Sequence, residues 1–346
     1  MRFATPHEVD NWDSLIIKNP NGGDVFQTKA FAAIKASQGW TPHFVIYDVS
    51  SQHVACLYIT RSIPLLGELW YAPKGPGVIN RTSLEHIVAA NHAFATAQAR
   101  SIFAFKLEPD VPKNQGYPAL LHKVHTIQPN ANTVVVDLSP SEDDIRATFR
   151  QRARRAIRQA QTAGVTVEAA PPSQKNFQHM YELYKTTGER ARFHVRDLTY
   201  HKTLWQQWIQ TGQGQLFFAH HQGGIVAGAF VAFVGVKGLY KDGASDRQAL
   251  KNGAAHLLQW EIMRWLKSQG IARYDLHGTP PADQLENTQH PFYGLGLFKT
   301  SFAPHITEYV GTLDQPIKPA HYKQWRRFGE RAAQRFEYRV RGRTFY

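Results

Sequence analysis

The chain has 346 residues, 42% hydrophobic and 12% aromatic, enough for two cores of ordinary domain size, which excludes a disordered chain. Forty Lys and Arg against 27 Asp and Glu leave a formal charge of +13, pointing to an anionic partner: nucleic acid, a phosphorylated ligand or an anionic membrane surface. MRFATPHEVDNWD carries acids where a signal peptide needs an apolar run, and no stretch is long and apolar enough to span a bilayer, so the expectation is a cytoplasmic protein.

In chain order, VFQTKAFAAIKA (25–36) reads as a helix that starts near Phe26 and closes on Lys35. From residue 39, GWTPHFVIYDVSSQHVACLYITRSIPLLGELWYAPKGPGV alternates apolar and polar residues, with breaks at Ser50-Ser51 and Pro64, as an antiparallel meander does. Cys56, the single cysteine, sits in this alternation and reads as core. Tyr71 ends the third strand, and Lys74 and Gly75 form a turn whose backbone N–H groups suit an anion. LEHIVAANHAFATAQAR (84–100) has helical spacing, and IFAFKLEPD follows as a strand.

SPSEDDIRATFRQRARRAIRQAQTAG reads as one helix, with Ser139 or Ser141 as N-cap, an acidic first turn and Gly164 as its stop. That helix sets Arg146, Arg150, Arg154 and Arg158 in an i,i+4 stripe, widened by Arg152 and Arg155. The stripe suits a phosphate backbone; a solvated helix face is the plainer alternative.

Residues 214–278 repeat the order of 39–108: three strands, the helix NGAAHLLQWEIMRWLKSQG, and the strand IARYDLHG, with Tyr240 ending the strand that corresponds to Tyr71's. The repeat predicts an α+β chain of two copies of one unit, each a mixed, mostly antiparallel sheet flanked by helices. The expected domains are 1–139 completed by 309–346, and 140–308.

This order resembles the GNAT acyltransferase core. That core carries an R/Q-x-x-G-x-G/A loop for the coenzyme A pyrophosphate; here PGVINRTSLEH and RQALKNGAAHLL stand in its place. Gly253 is retained at a helix N-terminus, a candidate anion site, but the glycine pair is missing, so no cofactor is expected. The histidines form no metal-ligand spacing, and no metal is expected.

GLFKTSFAP (296–304) reads as a strand in which Lys299 alternates against Phe298 and Phe302, either facing solvent or serving as a fixed cation beside an apolar wall. The C-terminal HYKQWRRFGERAAQRFEYRVRGRTFY is a second basic helix and tail, with Arg326, Arg327, Arg331, Arg335, Arg339, Arg341 and Arg343 as further RNA contacts.

VFQTKAFAAIKA, LWYAPKGPGV, RQRARRAIRQAQTAGVTV, MYELYKTTGERARFHVRDLTYH, LYKDGAS and YGLGLFKTSFAPHITEYVG, in this order, resemble the Fem (FemABX) family of peptidoglycan interpeptide-bridge aminoacyltransferases. HKTLWQQWIQTGQGQLFFAH passes directly from helix to strand, without the helical arm of some members, which is the shorter FemX-like pattern. The resemblance implies tandem GNAT-like domains that move an amino acid from aminoacyl-tRNA to the stem peptide of UDP-MurNAc-pentapeptide or lipid II. The first domain would bind the acceptor, and the second would hold the catalytic and tRNA side.

It further implies that Lys299 stabilises the oxyanion or holds a terminal phosphate, and that Phe298 stacks on the terminal adenosine. Arg196, with Tyr200 four residues on, would hold acceptor phosphates, and Lys35 would contact the nucleotide diphosphate. Tyr240, Tyr71 and Lys74 are further substrate contacts, and Arg150, Arg154, Arg155 and Arg158 the tRNA contacts. Asp110, Asp242 and Asp275 are strand-end acids, and the general base is left open. A monomer is expected, with peripheral association at the inner membrane face as an option. The rival readings are an acyl-coenzyme A N-acyltransferase and a non-catalytic RNA-binding protein.

Overall fold

In the computed structural model, which describes residues 1–49, 52–98, 101–128, 131–191, 195–246, 251–341 and 344–346, the chain divides into two units. One comprises 1–131 with 309–346, the other 132–308. The expected limit at 139/140 moves to 131/132, because Val135–Asp137 pairs with a strand of the second sheet.

In the first unit, Asp24 caps a single 3-10 turn, Val25–Gln27, and Thr28 caps helix α1 (Lys29–Ser37). The helix expected from Phe26 is therefore two pieces, because each capping side chain takes a backbone N–H and restarts the chain direction. Strands β1 (Thr41–Val49), β2 (Gln52–Ile63) and β3 (Gly67–Ala72) form the meander. The turn expected at Ser50-Ser51 lies outside the described residues. Helix α2 (Arg81–Ala97), capped by Asn80, crosses over to β4 (Ile102–Leu107), which runs parallel to β3.

Leu313–Pro316 then pairs antiparallel with β4, so the returning chain completes this sheet. The strand order is Arg2–Phe3, β1, β2, β3, β4, Leu313–Pro316, His122–Lys123. One core cluster holds Tyr58, Trp70, Phe105 and the fully buried Cys56. Another joins Trp40, Tyr71 and Phe103 to Trp325, Phe345 and Tyr346 of the C-terminal segment.

In the second unit, the single basic helix expected from the sequence is two, α3 (Glu142–Thr148), capped by Ser141, and α4 (Gln151–Thr162). Phe149 and Arg150 between them are extended: Phe149 packs against Trp260 and Phe302, and the Arg150 N–H donates to the Ser301 carbonyl at 2.8 Å. Burying a phenyl ring outweighs one more helical turn. Strand β5 (Thr166–Ala170) and helices α5 (Gln174–Ala191) and α6 (Leu198–Gln210) follow.

The repeat comes next: β6 (Gly214–His221), β7 (Gly224–Val234) and β8 (Lys237–Ser245), helix α7 (Ala254–Ser268), and β9 (Arg273–Asp275) parallel to β8. The strand order is Val135–Asp137, β9, β8, β7, β6, β5. Helix α8 (Tyr293–Lys299) follows β9 in the chain and precedes a short strand, Thr307–Glu308, that pairs with Asn132–Thr133. Among the described residues, no helix is long and apolar enough to cross a membrane.

Candidate active site

The segment GLFKTSF is helical where a strand was expected: Lys299 is the last residue of α8 and only 4% exposed. Packing decides this. A Cβ at Gly296 would come within 2.6 Å of Pro280, so the helix sits tightly on that ring, while Phe302 is fully buried in the core. Lys299 Nζ donates to the carbonyl oxygens of His277 and Gly278, the latter at 2.8 Å. Both of those residues have positive φ, 58° and 45°, a bend that turns their carbonyls toward the ammonium. Burial lowers the Lys299 pKa to about 7, with Asp275 pulling the other way. An ammonium has three donors, and the two carbonyls take two of them.

Phe298 is half-buried, edge-on to His256 at 4.8 Å and to Phe302 at 5.4 Å. Burial and the charge of Arg152 bring His256 down to about 4, so this is an apolar wall with a neutral imidazole. Asp275 accepts from the Thr133 hydroxyl and from the His277 N–H, which fixes the bend on which Lys299 rests.

A second cluster in the same unit surrounds His201 and Asp242. Arg196 precedes α6, so the i,i+4 pairing on one helix does not apply, yet its guanidinium still lies 4.2 Å over the Tyr200 ring. Asp197 caps α6 by accepting the Tyr200 N–H. The His201 imidazole is ringed by Tyr184 at 5.1 Å, Trp205 at 5.2 Å, Tyr200 at 5.3 Å and Tyr181 at 6.1 Å. Its Nδ1 stands 3.9 Å from Asp242, which accepts from Trp205 at 2.8 Å and from Lys241 at 3.1 Å. Burial alone would raise the Asp242 pKa; Lys241, His201 and Trp205 together hold it far below the usual carboxylate range.

Tyr240 lies inside β8 rather than at its end, because the strand continues to Ser245 past an irregularity at Lys241. Its hydroxyl fills the space beside Gly243, which any Cβ there would invade. Burial, then the Asp242 charge, raises its pKa.

In the first unit, Tyr71 and Lys74 meet two acids. Tyr71 donates to Glu108 at 2.8 Å, and Lys74 pairs with Asp110 at 2.7 Å. The backbone N–H of Lys74, a residue at φ 52°, reaches Glu108 as well, so the anion this turn meets is a protein carboxylate. Burial raises the Glu108 pKa against the pull of Tyr71, Thr312 and backbone donors. Lys35 is buried in the last turn of α1, with Gln38 as an acceptor at 3.3 Å.

The arginine stripe is broken by the gap between α3 and α4. Arg146 stacks over Trp260, and Arg154 donates to the Ala147 and Phe149 carbonyls at the end of α3. Both are structural, and the exposed cations are Arg150, Arg152, Arg155 and Arg158. At Gly253, the expected anion site, φ is 77° and a Cβ would run into the Ala156 carbonyl of α4, so only glycine fits, and the next N–H, that of Ala254, donates to Asn252 Oδ1 at 3.1 Å. Residues 247–250 of that loop lie outside the described residues.

Reading the sequence missed Glu108, His201, Trp205 and Tyr184. An acid closing the apolar strand IFAFKLEPD was a usable signal for Glu108; a single histidine beside Tyr200 carried none.

Residues 147–284 match the model of the acetyltransferase (GNAT) domain family. The chain is 25% identical to the Lipid II:glycine glycyltransferase of Staphylococcus aureus over 90% of its own length and 92% of the relative's. Among solved structures, FemX superposes with a TM-score of 0.78 at 21% identity, covering 94% of this chain and 99% of that one. L-PGS from Bacillus licheniformis does so at 0.52 and 13%, covering 94% and 97%. The α+β, GNAT-type fold read from the repeat is borne out.

Proposed function

We propose, on the premise that the chain is a FemX-like, acyl-transferring enzyme, that it moves an amino acid from aminoacyl-tRNA to the stem peptide of a peptidoglycan precursor. The name of the Staphylococcus aureus relative favours lipid II as acceptor, and UDP-MurNAc-pentapeptide is the soluble counterpart. In this reading the protein works in the cytoplasm, at the inner membrane face when the acceptor is lipid-linked.

The observation that carries the chemistry is the buried Lys299 between two backbone carbonyls and an aromatic wall. The donor ester is already activated, so the acceptor amine attacks its carbonyl carbon directly. The C–O bond to the ribose oxygen breaks, the amide forms, and the proton lost by the amine ends on that oxygen. The remaining N–H of Lys299 stabilises the oxyanion formed in between, a contribution of about 3 kcal/mol by analogy with other oxyanion donors. Phe298 flanks the terminal adenosine. Arg196, held flat on Tyr200, takes phosphate, and Lys35 takes diphosphate. Tyr240 contacts substrate, Tyr71 and Lys74 act on the substrate side through the Glu108 and Asp110 carboxylates they hold, and Arg150, Arg155 and Arg158 contact tRNA.

Incubation with mixed aminoacyl-tRNAs and each acceptor, followed by mass spectrometry, should show the acceptor gaining one amino-acid residue. No gain on either acceptor overturns the reading. The GNAT-domain match favours a second reading, N-acylation from acyl-coenzyme A. Coenzyme A raising the Tm while aminoacyl-tRNA does not would support it.

A further inference from the structure

The C-terminal helix carries a surface that the transfer chemistry does not use. Residues 319–341 run through Pro319–Gln324, a π-turn at Trp325–Gly329 and Glu330–Arg341. One side is held to the first unit: Trp325 is fully buried, and Glu337 is 5% exposed and paired with Arg61 at 3.1 Å. Glu330, the other acid of this segment, pairs with Arg326 and accepts from the Tyr346 hydroxyl.

The opposite side bears two adjacent i,i+4 stripes, Phe328, Ala332, Phe336 and Val340 beside Arg327, Arg331, Arg335 and Arg339. All of these are exposed, Phe328 at 63%, Phe336 at 55% and Val340 at 64%. Neither acid of the segment shares the exposed stripes.

A second exposed apolar group sits on the hairpin fastened to this helix. Leu65, at the β2–β3 hairpin tip, is 97% exposed and held at φ 66°, a conformation a leucine adopts only at an energetic cost. Its neighbour Leu66 is buried in the Trp325 cluster, its carbonyl is 2.8 Å from His321 Nδ1, and its side chain reaches the Gly329 turn next to Phe328. The hairpin tip is thereby fastened to the helix that carries the stripes.

We propose that this face of the first unit lies on an anionic lipid bilayer. Leu65, Phe328, Phe336 and Val340 enter the boundary between headgroups and acyl chains, and the arginine stripe meets lipid phosphates. Charge complementarity selects an anionic surface, and the interleaved apolar side chains select lipid over RNA. Arginines and phenyl rings could serve an RNA strand, but Leu65, Ala332 and Val340 gain nothing from a phosphate backbone or a stacked base. Interleaved arginine and apolar stripes at helical spacing are what an interfacial helix needs. The inference rests on the proposed function only in making a membrane-linked acceptor its biological reason.

The test is co-sedimentation with phosphatidylglycerol/phosphatidylcholine vesicles and with phosphatidylcholine vesicles alone, for the full chain and for Leu65→Ser, Phe336→Ser and the double variant. The parent protein should pellet with the anionic vesicles. Each single substitution should lower the partition coefficient about tenfold, and Tm and transfer to soluble UDP-MurNAc-pentapeptide should be unchanged. Parent-like partitioning of the double variant overturns the proposal. So does loss of tRNA affinity or a shift in oligomeric state with vesicle binding intact, which would assign the face to RNA or to a second copy. If vesicle binding behaves as expected while no acceptor is ever modified, the proposed function falls and this surface stands.

Discussion

Lys299 donates from its buried ammonium to the main-chain carbonyl of Gly278 at 2.8 Å, so its charge is held by backbone, with no carboxylate in direct contact among the described residues. Burial accordingly brings its pKa from 10.5 to about 7.

Lys299→Met should abolish transfer, measured as product mass, while circular dichroism stays native. Because the native group has the lower pKa, the unfolded chain binds more protons between about pH 7 and pH 10.5. The parent's stability should therefore rise with pH across that window relative to the Met variant, by on the order of 1 kcal/mol per pH unit. Denaturant melts at pH 6 and pH 9 check the sign.

Asp242 carries the opposite shift. Its pKa is held down in the folded state, so its contribution is complete above the unfolded value and is lost as pH falls below about 4. Asp242→Asn should destabilise the protein by roughly 3 kcal/mol at pH 7, by stranding Lys241 and Trp205. The gap to the parent should narrow on acidification, as read from urea melts.

Gly243 leaves room for the Tyr240 hydroxyl. Gly243→Ala should displace that ring and lower kcat/KM as much as Tyr240→Phe does, and the double variant should add little beyond either single change.

Adjacent arginines on α4 should behave differently. Arg155→Ala should weaken tRNA binding and reduce its salt slope by about one. Arg154→Ala should leave the slope unchanged and lower stability by about 1 kcal/mol, because its guanidinium serves the end of α3.

The two sheets were legible because strand alternation, turns and the crossover helices are local patterns, and here they occur twice. The residues about which function is argued were named from resemblance, and their neighbours decide what each can do. Tyr71 with Glu108 and Lys74 with Asp110 are separated by 37 and 36 positions, and no local period links them. The arginine stripe failed for a related reason: i,i+4 spacing assumes an unbroken helix, and Phe149 interrupted it to reach the core.

By itself the sequence determined the α+β plan, the duplication, the cationic balance and the burial of Cys56, since periodicity and composition act over a few residues at a time. Only the tertiary structure decided that Lys299 closes a helix rather than crossing a strand. A short apolar run satisfies either period, and the contest was settled by Gly296 against Pro280, Phe302 in the core and two carbonyls from a bend 21 and 22 residues away.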